Sequence, residues 1–271
     1  MTTTILTIGT SHVQSGHDSP ALAQQLRSQS TQQWKRTGDS LVCNSDVQAL
    51  FDCTWPGYLQ QCIPNSSVIN LGVSGVGIEG FWERTRLALD VYKPDAVVLE
   101  VPSVTRYTIW PETMDQYSSP LHNITHIHTR EHFHHCGNVL SSNTIFPESK
   151  SHQFETDYFG GNTSFTAWKQ AWLRTVNPAK IQTHWNAYCV LQGFIERVAP
   201  VVPVLFNSDS SVLDSSIDSM VPTSVWSNLK QNKPGGPGYS ADGSGHLDFA
   251  SEQWWVDNIL LEQVEKIIEK K

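Results

Sequence analysis

Short apolar runs that stop at a glycine or a polar residue recur along the chain. Thr4 to Ile8 ends at Gly9, Ser67 to Leu71 at Gly72, Ala96 to Val101 before Pro102, and Val201 to Phe206 at Asn207. Runs of this length and kind read as strands buried on both faces of a parallel sheet. Between them the period lengthens. Ile78, Phe81, Trp82, Ala88, Leu89 and Tyr92 recur at three- and four-residue steps, the stripe of an amphipathic helix that Lys93-Pro94-Asp95 breaks. Further helices are predicted from about Asp46 to Cys62, interrupted by Pro56, and from Ser164 to Ala199 with a break near Asn177-Pro178. A closing helix is expected from about Phe249 to Glu269, with Ala250, Val256, Leu260, Val264 and Ile267 in register, and a short one opens at Asp18-Ser19-Pro20. Strand and helix in alternation predict an α/β protein, a parallel sheet covered on both faces.

Residues 104 to 163 interrupt this order with a long irregular stretch rich in His, Ser, Thr and Asn. Such a length inside one domain points to a functional lid or an inserted subdomain. The expected organisation is a single domain over residues 1–271 with a His-rich insertion at about 104–163.

Composition narrows the function classes. With 39% hydrophobic, 10% aromatic and 16% charged residues, the chain is too apolar for disorder and too weakly charged for a coiled coil. Eighteen Lys and Arg against 26 Asp and Glu give a net charge of −8, and basic residues cluster only at Lys266, Lys270 and Lys271, so nucleic acid and anionic membranes are not the expected partners. No run approaches the roughly 18 apolar residues of a membrane span, and the opening MTTTILTIGTSH has no basic segment ahead of a long apolar one. The default compartment is the cytoplasm, with a virion- or phage-encoded protein as the alternative. Cys43, Cys53, Cys62, Cys136 and Cys189 form an odd set without a CxxC pair and read as free thiols.

In parallel α/β sheets the ligand site lies beyond the carboxyl ends of the strands, so the residues just after each run carry the chemistry. Gly9-Thr10-Ser11 follows the first run, Gly72-Val73-Ser74-Gly75 the second, and Asp242-Gly243-Ser244-Gly245-His246 precedes the last helix. A serine at a strand end and a histidine in a distant loop against the same edge are the two parts acyl transfer needs, a hydroxyl that attacks and an imidazole that takes its proton. Gly75 would let a backbone N–H come close to a tetrahedral oxyanion.

Here the chain resembles the SGNH (GDSL-type) hydrolase family. The resemblance rests on Ile5-Leu6-Thr7-Ile8-Gly9-Thr10-Ser11 with Gly16, on Trp55-Pro56-Gly57-Tyr58-Leu59, on Asn70-Leu71-Gly72-Val73-Ser74-Gly75, on Lys93-Pro94-Asp95, and on Asp242-Gly243 with His246-Leu247. These blocks span nearly the whole chain. The resemblance implies a three-layer α/β/α sandwich, flavodoxin-like, with a central parallel sheet of about five strands. It implies Ser11 as nucleophile, His246 as general base, Asp242 as the residue that orients it, and the amides of Ser11 and Gly75 as oxyanion donors; no cofactor is implied.

Three positions depart from the family pattern. Thr10 stands where the family has Asp, before a nucleophile that is kept. Ser103, in Val101-Pro102-Ser103-Val104, stands where the family has its oxyanion-hole Asn; a hydroxyl donates one bond but is shorter than an amide, and losing a donor costs on the order of 3 kcal/mol, roughly a hundred- to a thousand-fold in rate. Arg106 is the candidate for supplying the missing charge. Asp242 lies four residues before His246 rather than three, so either the glycine-rich loop absorbs the extra residue or the site works as a Ser–His dyad.

The expected function is a serine esterase acting through an acyl-enzyme on small O-acyl or acetyl esters, with carbohydrate esters favoured by the ten tryptophans. The alternative is an SGNH-like binding or structural module with weak or no catalysis, which the Ser103 and Asp242 departures favour. A third reading concerns residues 122–135, which hold six of the eleven histidines. Imidazoles two apart on an extended chain face one side, so His126 with His128, or His132 with His134, are candidate ligands for zinc or a similar ion, although no established metal spacing is matched. Trp168, Trp172 and Trp185 are read as core or interface residues ahead of sugar platforms, and of Trp254 and Trp255 only one is expected to face the core.

Overall fold

The strand that opens the chain, β1 (Thr3–Ile8), lies inside a parallel sheet with β4 (Ser66–Asn70) on one side and β5 (Ala96–Glu100) on the other. β8 (Val201–Val204) adds to β5, giving the order β4-β1-β5-β8 with every pairing parallel. The computed structural model describes residues 2–10, 13, 35–37, 40–42, 52, 54–72, 78–101, 108–109, 138–139, 178–206, 225–240 and 246–270. The α/β reading with a parallel sheet holds, with four strands in that sheet among the described residues.

Alternate residues of each strand feed two separate cores, which is how a continuously apolar strand is used when helices cover both faces. Leu6, Ile8, Val97 and Leu99 pack with Phe81, Ala88 and Leu89 of α2 (Ile78–Tyr92) and with Tyr188, Leu191 and Ile195 of α3 (Pro178–Ile195). Ile5, Val68, Val98, Val202 and Val204 face the other way. They meet Trp55 and Leu59 of α1 (Trp55–Cys62), Trp226 and Leu229 of α4 (Val225–Asn232), and Trp255 of α5 (Phe249–Trp255). The same core takes in Val264 of the final helix α6 (Leu261–Ile268).

Several boundaries differ from the sequence reading for identifiable reasons. Pro56 does not interrupt α1; it sits in the first turn, where its missing N–H has no intrahelical role, and the Thr54 side chain caps the helix by accepting from the Gly57 N–H at 3.2 Å. α3 begins at Pro178, where the sequence reading places a break, and ends at Ile195, short of Ala199; residues 164–177 lie outside the described residues. The closing helix is continuous but changes pitch, with a π-helical turn over Val256–Leu260 between α5 and α6. That extra residue lets Trp255 and Val256, neighbours in sequence, both be fully buried while Trp254 stays half-buried at the rim.

Two stretches expected to be irregular contribute antiparallel ribbons, β2 (Lys35–Thr37) with β3 (Ser40–Val42), and β6 (Thr108–Ile109) with β7 (Asn138–Val139) inside the insertion. The helix expected at Asp18-Ser19-Pro20 falls outside the described residues. Trp185 packs on the core and stacks on Tyr188 at 5.4 Å, as a core reading requires, whereas Trp168 and Trp172 are not among the described residues. No helix among the described residues is long and apolar enough to cross a membrane.

Candidate active site

The chain leaves β1 toward β4 on one side and leaves β5 toward β8 on the other, so the carboxyl ends of β1 and β5 flank the point where the connections diverge. Open α/β sheets place their ligands at such a point because the loops part there and leave a crevice. Gly9 and Thr10 follow β1 at this place, and Glu100 ends β5 beside them.

Glu100 is the residue that sequence reasoning missed. It closes a strand in which all five residues are buried, and only 3% of its own surface is exposed. A carboxylate in such a position is retained only where hydrogen bonds replace its water. Two come from Thr10, itself fully buried: its backbone N–H donates to Oε2, and its hydroxyl donates to Oε1 at 2.6 Å. Both oxygens accept, the pattern of an ionised carboxylate. Gly9 leaves room for this grip, since a Cβ there would come within 2.7 Å of the Glu100 Cβ and would overlap both its Oε2 and the Val13 side chain. The available signal was one charged residue at the end of an otherwise apolar run.

A second link ties β1 to the glycine turn after β4. Asn70 donates from Nδ2 to the Val13 carbonyl at 2.9 Å, and its Oδ1 accepts from the Gly72 N–H at 2.8 Å. One side chain thus holds both Val13, two positions past Ser11 in the chain, and Gly72, which follows β4. Asn70 entered the sequence reading as part of a block; its bridging role needed the structure.

The histidine loop is held by a short antiparallel clamp. Tyr239 and Leu247 form a bridge, the Ser240 N–H donates to the His246 carbonyl at 2.9 Å, and the Asp248 N–H donates to the Gly238 carbonyl at 3.1 Å. Asp248 then caps α5 by accepting from the Ser251 N–H at 2.7 Å, and the Ser251 hydroxyl accepts from the Gly238 N–H at 2.8 Å. Leu247 is buried in the same core as Val13, Trp55, Phe206 and Trp255. Successive residues of an extended segment face opposite ways, so with Leu247 turned into the core, the half-buried His246 is turned away from it. Beneath lie three mutually packed rings, Trp55, Phe206 and Trp255, with centroids 5.2 to 6.0 Å apart. The Trp226 indole N–H donates to the Phe206 carbonyl at 2.9 Å and pins the chain as it leaves β8.

Of the residues expected to act, Thr10 and His246 are described; Ser11, Gly75, Ser103, Arg106 and Asp242 lie outside the described residues, as do His126, His128, His132 and His134. Among the described residues no group of three or more His, Cys, Asp or Glu is arranged to hold a metal ion. No protein-family model matches the chain, and no curated protein matches it significantly in sequence.

Proposed function

We propose that this chain is a serine ester hydrolase of SGNH type, with a three-layer, flavodoxin-like fold, acting on small O-acyl or acetyl esters that include those of carbohydrates. The observation that carries the reading is the cross-linking of strand ends at the point where the connections diverge. Thr10, just before Ser11, is tied to Glu100, and Val13, two positions after Ser11, is tied through Asn70 to Gly72, so the residues flanking the proposed nucleophile and the residue that follows β4 are joined by hydrogen bonds. The strand order supports it too, since the four parallel strands in chain order run 2-1-3-4 across the sheet, the flavodoxin-like sequence short of a fifth. Val13, two positions after Ser11, and Leu247, next to His246, share the core on one face of the sheet.

In this reading the Ser11 hydroxyl attacks the ester carbonyl while His246 takes its proton. The amides of Ser11 and Gly75 receive the charge that develops on the carbonyl oxygen, with Ser103 and Arg106 as further support. Collapse expels the alcohol, protonated by the imidazolium, and leaves an acyl-serine. Water, deprotonated by His246, then releases the acid. Asp242 orients the imidazole.

The test is hydrolysis of p-nitrophenyl acetate and butyrate by the wild type and Ser11→Ala, with fluorophosphonate labelling in parallel. Turnover and labelling that both vanish in the alanine variant are expected. A wild type that neither turns over nor labels would overturn the esterase reading in favour of a binding module.

A further inference from the structure

We infer that Glu100 is the positioning residue of this site, a buried carboxylate that sets the orientation of the Ser11 backbone by gripping Thr10. The inference rests on the esterase reading of Ser11. Glu100 belongs to no motif block, and yet it ends β5 with 3% exposure beside Thr10.

The geometry explains how it acts. The Thr10 N–H belongs to the peptide plane that joins Gly9 to Thr10, and its hydrogen bond to Oε2 fixes that plane. The Thr10 hydroxyl reports the side-chain torsion, and its bond to Oε1 fixes that as well. With both held by one rigid planar group, rotation about the Thr10 N–Cα bond is fixed too. A single soft torsion, about Cα–C, then separates the anchored part from the next peptide plane, which carries the Ser11 N–H. That N–H is an oxyanion donor in the proposed mechanism, and such donors act only when aimed in advance at the place where charge develops. Close packing at Gly9 supports the same conclusion, because any side chain there would push the carboxylate away from Thr10.

Two substitutions separate positioning from charge. Glu100→Gln keeps the reach: its amide oxygen accepts from the Thr10 N–H, and its NH2 group donates to the hydroxyl oxygen, which reverses its role. Glu100→Asp keeps the charge but withdraws it by one methylene. The experiment measures kcat and KM for p-nitrophenyl acetate and the rate of fluorophosphonate labelling on the full chain, with circular dichroism to verify folding.

Glu100→Asp is expected to lower kcat and the labelling rate by about 100-fold, the cost of a misplacement near 1 Å, with KM within about twofold. Glu100→Gln is expected to stay within about threefold of wild type in kcat. Should the Asp variant fail to fold, Thr10→Val, which keeps the volume and removes the hydroxyl, is expected to lower kcat about tenfold at constant KM. A folded Glu100→Asp or Thr10→Val variant with wild-type kcat, a loss confined to KM, or a Gln variant as impaired as the Asp variant would each overturn the inference while wild-type turnover and Ser11 labelling stand. Silence of the wild type itself would overturn the esterase reading and this inference together.

Discussion

The backbone N–H and the hydroxyl of Thr10 both end on the carboxylate of Glu100, ninety positions away in the chain. Thr10 is fully buried, so neither donor has water as an alternative. Hydrogen bonds to a charged group contribute about 2 kcal/mol each, so Thr10→Val, of equal volume, is expected to lower unfolding free energy by about that amount in urea denaturation. Thr10→Ser keeps the hydroxyl and loses one methyl group, a cost of about 1 kcal/mol. A Thr10→Val variant as stable as wild type would mean that the hydroxyl's contact with Glu100 carries no net free energy.

Two glycines make opposite predictions under the same substitution. At Gly9 a Cβ would overlap Val13 and Glu100, so Gly9→Ala is expected to destabilise by about 2 kcal/mol through overpacking. At Gly193, in α3, nothing lies within 4 Å of an added Cβ. Gly193→Ala is expected to stabilise by about 1 kcal/mol through helix propensity and a less flexible unfolded chain. Thermal unfolding of the pair checks both signs at once.

These contrasts show where sequence reading succeeds. Ile5, Leu6, Val97 and Val98 announce a parallel strand because burial on both faces leaves no polar position to break the run, and α2 was legible from Ile78 to Tyr92 because one face alone is apolar. Pro56 was misread because proline marks a helix start and a helix break with the same letter, and only the cap, here Thr54, tells them apart. The Thr10–Glu100 and Asn70–Val13 links were invisible because each joins positions far apart in the chain, and no local pattern encodes which strand end will meet which. The sequence offered the candidate site as an ordered set of blocks, of which Thr10 and His246 are among the described residues; the contacts that anchor Thr10 were not legible in it.

Gly238 couples the histidine loop to the last helix. An added Cβ there would fall on the Asp248 carboxylate, which caps α5, and the Gly238 N–H already donates to Ser251. Gly238→Ala is expected to cost about 1 kcal/mol, the usual value of a lost cap, as measured by chemical denaturation. Under the esterase reading it also loosens the clamp that holds His246, so kcat is expected to fall about tenfold while KM stays near wild type. A cap lost without any change in kcat would separate the helix terminus from the histidine.

Alkaline pH should expose a stabilising role of the tyrosines. The Tyr58 phenol donates to the Asp257 carboxylate, with oxygen separations of 2.9 and 3.1 Å, and so joins α1 to the π-helical turn. That hydrogen bond, with partial burial, pushes its pKa from 10.0 up to about 12. Burial pushes the phenols of Tyr92 and Tyr188 upward as well. The folded chain therefore holds these protons more tightly than the unfolded chain. Below pH 10 both states are protonated and the contribution is fully present; as pH rises from 10 through about 12 the unfolded state loses protons first and stability falls. Urea midpoints measured across that window are expected to drop steadily, with a shallower drop in Tyr58→Phe because Tyr92 and Tyr188 remain. Constant midpoints across the window would show that the phenols titrate alike in both states. A Tyr58→Phe curve parallel to wild type would instead assign the whole decline to the two buried phenols and leave the Asp257 contact without effect.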